Sequence, residues 1–130
     1  MENRRENFRH EFDEAKAIPA EFELFGQGKT LAGRIISLSA TGAGIQAVQD
    51  QFPMASHDRI SLRFRLPKEE FHFQLRAIIR YAQKNEGGWF YGVQFLPSEN
   101  STEDAERDRR IWRFLMEMQR RSQRPANPAS

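Results

Sequence analysis

Three arginines, Arg4, Arg5 and Arg9, fall within the short stretch "NRRENFR" at positions 3–9. A guanidinium stays charged at any ordinary pH, presents a planar fork of donors to phosphate, and can stack on a base. Such a cluster suits anion recognition, although the same composition also describes a solvated basic arm. A second stretch, "SLSATG" at 37–42, concentrates small hydroxyls and ends in glycine between two alternating apolar segments.

Other motif matches fail on context. "GKT" at 28–30 matches the end of a phosphate-binding P-loop, but Glu23 stands where that loop needs its first glycine. "GAGIQA" at 42–47 fits GxGxxA, yet it leads into an alternating strand pattern rather than opening a helix. His10, His57 and His72 lack metal-ligand spacing, and neither a serine elbow nor an evident pair of catalytic carboxylates is present. The sequence gives no positive reason to expect an enzyme, a metal or a cofactor.

The elements that must position these stretches belong to a chain of 130 residues, enough for one compact domain. It has no cysteine, which excludes disulfides and thiolate chemistry and suits a reducing compartment. No apolar run approaches membrane-spanning length and no secretion-type apolar segment follows the charged start, so a cytoplasmic protein without membrane insertion is expected. A net charge of +2, from 20 basic and 18 acidic side chains, is too mild to argue for long nucleic acids. Arg63, Arg65, Arg76 and Arg80 project from the polar faces of two neighbouring strand patterns without interleaved aromatics, which favours a solvated sheet face over RNA or DNA binding.

Period-two alternation marks strands at Ile18–Leu24, at "LAGRIISL", at "IQAVQ" after the 37–42 loop, at Ile60–Leu66, at Phe71–Tyr81 and at "WFYGVQF". In the fifth of these, Phe71, Phe73, Leu75, Ala77, Ile79 and Tyr81 are expected on one apolar face. Six short-connected strands with one apolar face each predict a closed or nearly closed antiparallel barrel. The period then changes to that of a helix, with Ile111, Phe114, Leu115 and Met118 on one side, Ser101 and Asp104 as its capping box, and Arg120 and Arg121 at its negative end. Trp89 is expected to pack at the barrel rim.

The pairing of "RENFR" with "SLSATG" resembles the PilZ domain family, whose signatures are RxxxR before the barrel and (D/N)xSxxG at a strand connection. Arg5 and Arg9 match the first; Ser39 and Gly42 match the second, while Ser37 stands where the family usually has Asp or Asn. "YGVQF" looks like the family's last strand, and the likeness covers nearly the whole chain to about Arg121. It implies an all-β dominated fold, a six-stranded antiparallel PilZ-type β-barrel with a C-terminal α-helix. Residues 1–16 are expected to be a flexible leader, 17–121 the barrel and helix, and 122–130 a disordered tail.

The resemblance further implies a receptor for cyclic di-GMP, with Arg5, Arg9, Ser37, Ser39 and Gly42 as ligand-binding residues and Arg4 as an auxiliary. An extended leader places Arg5 and Arg9 roughly 13 Å apart, whereas a helix places them about 6 Å apart. Ser39 offers a small donor and acceptor, and Gly42 permits a positive φ or a close backbone approach. Ser37 supplies one neutral hydroxyl where a carboxylate could accept from guanine's Watson–Crick edge. A stand-alone effector of this kind, monomer or dimer, relays its signal through contact with an unidentified downstream protein in motility or exopolysaccharide and biofilm control. The alternative is a nucleotide-independent adaptor acting through Trp89, Phe90 or the terminal helix.

Overall fold

The computed structural model describes residues 9–24, 28–47, 54–69 and 72–123. Arg4 and Arg5 lie outside them, as do residues 124–130 of the expected tail. The strands are β1 (Arg9–Glu11), β2 (Ile18–Leu24), β3 (Thr30–Ser39), β4 (Gly42–Ala47), β5 (Arg59–Arg65), β6 (His72–Asn85) and β7 (Gly88–Phe95), followed by helix α1 (Ser101–Gln123). They form one antiparallel sheet in the order β1-β3-β2-β5-β6-β7-β4, and a further β3–β4 pairing closes six of them into a barrel.

Alternation explains the interior. Ile18, Ala20 and Phe22 of β2, Ile60, Leu62 and Phe64 of β5, and Phe73, Leu75, Ala77 and Ile79 of β6 are buried, while the charged residues between them face outward. Arg63, Arg65, Arg76 and Arg80 are accordingly exposed. Tyr91 ties the wall to a loop, since its buried ring meets Phe22 edge-on and stacks with Trp89, and its hydroxyl accepts from the Met54 N–H at 3.0 Å. Burial pushes this hydroxyl above its ordinary pKa and Asp58 adds to the rise, while the Met54 bond opposes it.

Three local features differ from the expected pattern. First, β4 begins at Gly42 rather than near Ile45, so Ser37–Ser39 end one strand and Gly42 starts the next, with Ala40 and Thr41 between them. Second, a bulge between Ile79 and Tyr81 shifts the β6–β7 register, so Tyr81 leaves the apolar face and is 52% exposed. Third, Asn100 rather than Ser101 caps α1. Its side-chain oxygen accepts from the N–H groups of Thr102 and Glu103 at 3.0 and 3.1 Å, one residue earlier than the expected box, and Asp104 accepts instead from the Ser98 N–H.

Ile111 and Leu115 of α1 are fully buried against the barrel. Arg107 spans the junction, with its guanidinium 5.8 Å from the centre of the Phe95 ring and one nitrogen donating to the Leu96 carbonyl. Arg110 reaches Glu69 at 3.5 Å.

Tyr91→Phe keeps the ring and strands the buried Met54 N–H. Its expected cost is about 1–3 kcal/mol, the scale for an unsatisfied buried donor, read as a lower urea midpoint with unchanged m-value. An unchanged midpoint would show that the hydroxyl does not anchor the loop.

Candidate functional site

Strand β1 is an appendage to the barrel, placed by register. Arg9, His10 and Glu11 lie opposite Ser39, Leu38 and Ser37 of β3, and the Phe12 N–H donates to the Ile36 carbonyl at 2.9 Å. β2 occupies the same edge of β3 further along, opposite Thr30–Ile35. The chain between Phe12 and Ile18 leaves the ladder through a short 3-10 turn, so β1 and β2 act as two halves of one interrupted strand.

Alternation along β1 sends Arg9 and Glu11 to the outer surface, where they line a half-open cleft of about 370 Å³. His10 and Phe12 serve the other side: their rings meet edge-on at 4.7 Å, and Phe12 stacks on Phe114 of α1 at 6.2 Å. Desolvation is the largest influence on His10 and holds its pKa below 6.5; Asp13 and Glu11 oppose this, and Lys16 adds to it.

The two sequence signatures meet in this cleft. Arg9 Nη1 donates to Ser37 Oγ at 2.8 Å, across 28 positions of chain. Ser37 is brought to the outer face by a register shift between Ile35 and Ser37 and is only 7% exposed. Its neutral oxygen orients the guanidinium without cancelling its charge, so Arg9 remains a cation facing the cleft.

Ser39 and Gly42 play a different part. Ser39 is buried, and its hydroxyl accepts from the N–H groups of Thr41 and Gly42 at 3.3 and 3.1 Å and lies 3.3 Å from the Gly42 carbonyl. It clamps the turn that carries Thr41 and Gly42 into the cleft wall. Gly42 has no positive φ. Its need for glycine comes from β7, because a Cβ there would collide with the Val93 carbonyl oxygen.

A single cross-strand row runs through the site: Glu11 opposite Ser37, Ser37 opposite Gly44, Gly44 opposite Gly92, and Gly92 opposite Tyr81. The two central glycines carry no side chain of their own, and the rings of Phe90 and Tyr81 lie on them. A Cβ on Gly44 would stand 2.6 Å from Ser37 Oγ and 2.8 Å from the Phe90 ring, and one on Gly92 would stand 2.5 Å from the Tyr81 ring. Three strand spacings separate Ser37 from Tyr81, roughly 14 Å. Glu11, Phe90 and Tyr81 carry no motif that sequence reading singled out for this site. Their available signal was the phase of alternation, which for Tyr81 is reversed by the bulge.

Among the described residues, no group of His, Asp and Glu is arranged to hold a metal ion, and no helix is long and apolar enough to cross a membrane. The cleft thus offers an oriented guanidinium, a carboxylate, small hydroxyls, bare backbone and two aromatic rings. Together these are suited to a flat polar ring bearing a phosphate.

Comparison with known proteins identifies the family and the fold. The model of the PilZ domain family matches residues 3–116. Comparison with curated proteins finds no match. Among solved structures, the Bacillus subtilis inhibitor of motility MotI/DgrA is similar with a TM-score of 0.72 at 14% identity, covering 95% of this chain; this chain spans only 55% of that one. The PilZ domain of Escherichia coli YcgR, solved with c-di-GMP, gives 0.68 at 15% identity over 95% of this chain and 100% of that one. The PilZ domain of CeSA from a cellulose-synthesizing bacterium gives 0.60 at 17% identity, covering 82% and 96%. At these identities the likeness is one of fold.

The His10 environment generates a pH dependence. Above pH 6.5 the imidazole is neutral whether β1 is docked or not. As pH falls through 6.5 the undocked state takes up the proton first, so docking weakens until pH passes below the lowered folded value, beneath which the difference is constant. A proton NMR titration of His10 should give a midpoint below 6.5, and a midpoint at or above it contradicts the burial of this ring.

Proposed function

Because the chain belongs to the PilZ domain family, we propose that it is a non-catalytic receptor for cyclic di-GMP that passes the signal on through a protein contact. The hydrogen bond from Arg9 to Ser37 carries this reading, since it joins the second arginine of RxxxR to the first position of the serine motif on one cleft. That the PilZ domain of YcgR was solved with c-di-GMP supports the choice of ligand.

In this reading Arg9 grips a phosphate or the O6/N7 edge of a guanine, and Arg5 closes over the ligand from the leader. Arg4 assists. Ser37 holds the Arg9 fork in its working orientation; Ser39 and Gly42 fix the wall against which the ligand rests. Glu11 lies directly across from Ser37 and supplies to this corner the carboxylate that Ser37 lacks, an acceptor for the N–H groups of guanine's Watson–Crick edge.

The route outward begins in the same strand. Arg9 faces the cleft while Phe12, the residue after β1, stacks on Phe114 of α1, so a ligand that reorders β1 also acts on the helix. The expected division into a leader through residue 16, barrel and helix from 17 to 121 and a tail from 122 is kept in this reading with two changes: the leader ends in β1 and the 3-10 turn, and the helix runs to Gln123. Two similar structures, an inhibitor of motility and a domain from a cellulose-synthesizing bacterium, support motility or exopolysaccharide control as the setting.

Calorimetric titration with cyclic di-GMP tests the assignment. Arg9→Ala should weaken binding by about 1.5–3 kcal/mol, the worth of a charged hydrogen bond, with the barrel intact by circular dichroism, and Lys should rescue poorly. Ser37→Ala should cost less, because it loosens the fork without removing it. Glu11→Gln should narrow the preference for cyclic di-GMP over cyclic di-AMP. Undiminished binding by a folded Arg9→Ala variant would remove β1 from the site.

A further inference from the structure

Tyr81 is the exposed large apolar side chain among the described residues, and it lies in the cleft. Its position is built rather than incidental. The β6 bulge turns it outward, its ring lies across Gly92 where a Cβ would come within 2.5 Å, and Phe90 braces it at 5.7 Å between ring centres. Phe90 lies in turn over Gly44, and Arg80 is held alongside by donating from Nε to Gln94 at 2.7 Å. An aromatic pair rests on a glycine floor, facing a guanidinium across the cleft.

A ring left half in water forgoes part of its hydrophobic burial unless something covers it. A flat π-face next to an anion-binding group fits a ligand that carries a purine and a phosphate on one short frame. We propose that Tyr81 is the stacking platform for a purine base of the ligand, with the attached phosphate directed toward Arg9. This deepens the cyclic di-GMP reading and rests on it. It gives base binding a side chain outside both sequence signatures. The competing role is structural: an aromatic side chain can shield the backbone of a glycine opposite it in a sheet. That role predicts lost stability and unchanged affinity.

Titration of the wild type and of Tyr81→Phe, Tyr81→Leu and Tyr81→Ala with cyclic di-GMP separates the two. Phenylalanine keeps the face and should bind within about 2-fold of wild type. Leucine keeps bulk over Gly92 without a π-face, and both it and alanine should bind roughly 5- to 150-fold more weakly, the range for one lost base–aromatic stack. Thermal melts report on folding, and leucine serves if alanine unfolds the sheet. The chain has only 2 tyrosines, so the wild-type ring signals can be assigned directly. Those of Tyr81 should move upfield on ligand addition while those of buried Tyr91 stay in place. Wild-type affinity in a folded leucine or alanine variant, or unmoved Tyr81 signals at saturation, overturns the platform and leaves the receptor assignment standing. Failure of the wild type to bind cyclic di-GMP overturns both.

Discussion

The β3–β4 seam is the constraint on which the site depends. It closes the sheet into a barrel, and its register places Ser37 opposite Gly44 after the shift at Ile36. Closure removes the free edges that an open six-stranded sheet would expose, and it leaves β1 to add outside the closed circuit, along the edge of β3 shared with β2. Ser37 is then flanked on one side by the strand that carries Arg9 and on the other by backbone without side chains. Had β3 continued without the shift, Ser37 would face the core, and its hydroxyl would need a partner in an apolar interior.

The cleft joins groups with different physical demands. Arg9 must stay charged and aimed, which a neutral acceptor achieves at 2.8 Å without forming an ion pair at that position. The aromatic wall must stay rigid, which close contact with Gly92 and Gly44 provides. The Phe90 and Tyr81 rings occupy the space a side chain would need, so glycine is required for steric reasons at both floor positions. The turn clamped by Ser39 sets the rim. Beneath β1, the Phe12–Phe114 contact joins the cleft wall to α1, whose other anchors, Ile111 and Leu115, lie deep against the barrel.

Much of this was legible in the sequence where one periodicity dominates. The alternations in β2, β5 and the first half of β6, and the change of period into α1, give the barrel and its helix, because burial on one face imposes them directly. The pairing of Arg9 with the serine motif could be anticipated from the family resemblance, whereas the Arg9–Ser37 bond depends on a register that no local pattern encodes. Tyr81 shows the limit most clearly. A single inserted residue at Arg80 reverses the phase of everything after it, and nothing in "IIRYAQ" marks where the bulge falls. Asn100 was displaced by one position for a similar reason, since both asparagine and the following serine are good caps and only the backbone path selects between them.

The glycine-floored row from Glu11 to Tyr81 is either the ligand surface or an unused groove, and amide chemical shifts distinguish these. In a titration of the nitrogen-15-labelled protein with cyclic di-GMP, the largest changes should fall at Arg9–Glu11, Ser37, Gly44, Gly92 and Tyr81, with the outward arginines of β5 almost unmoved. Changes centred on Arg63 and Arg65 with the row unaffected would contradict the placement of the ligand in this cleft.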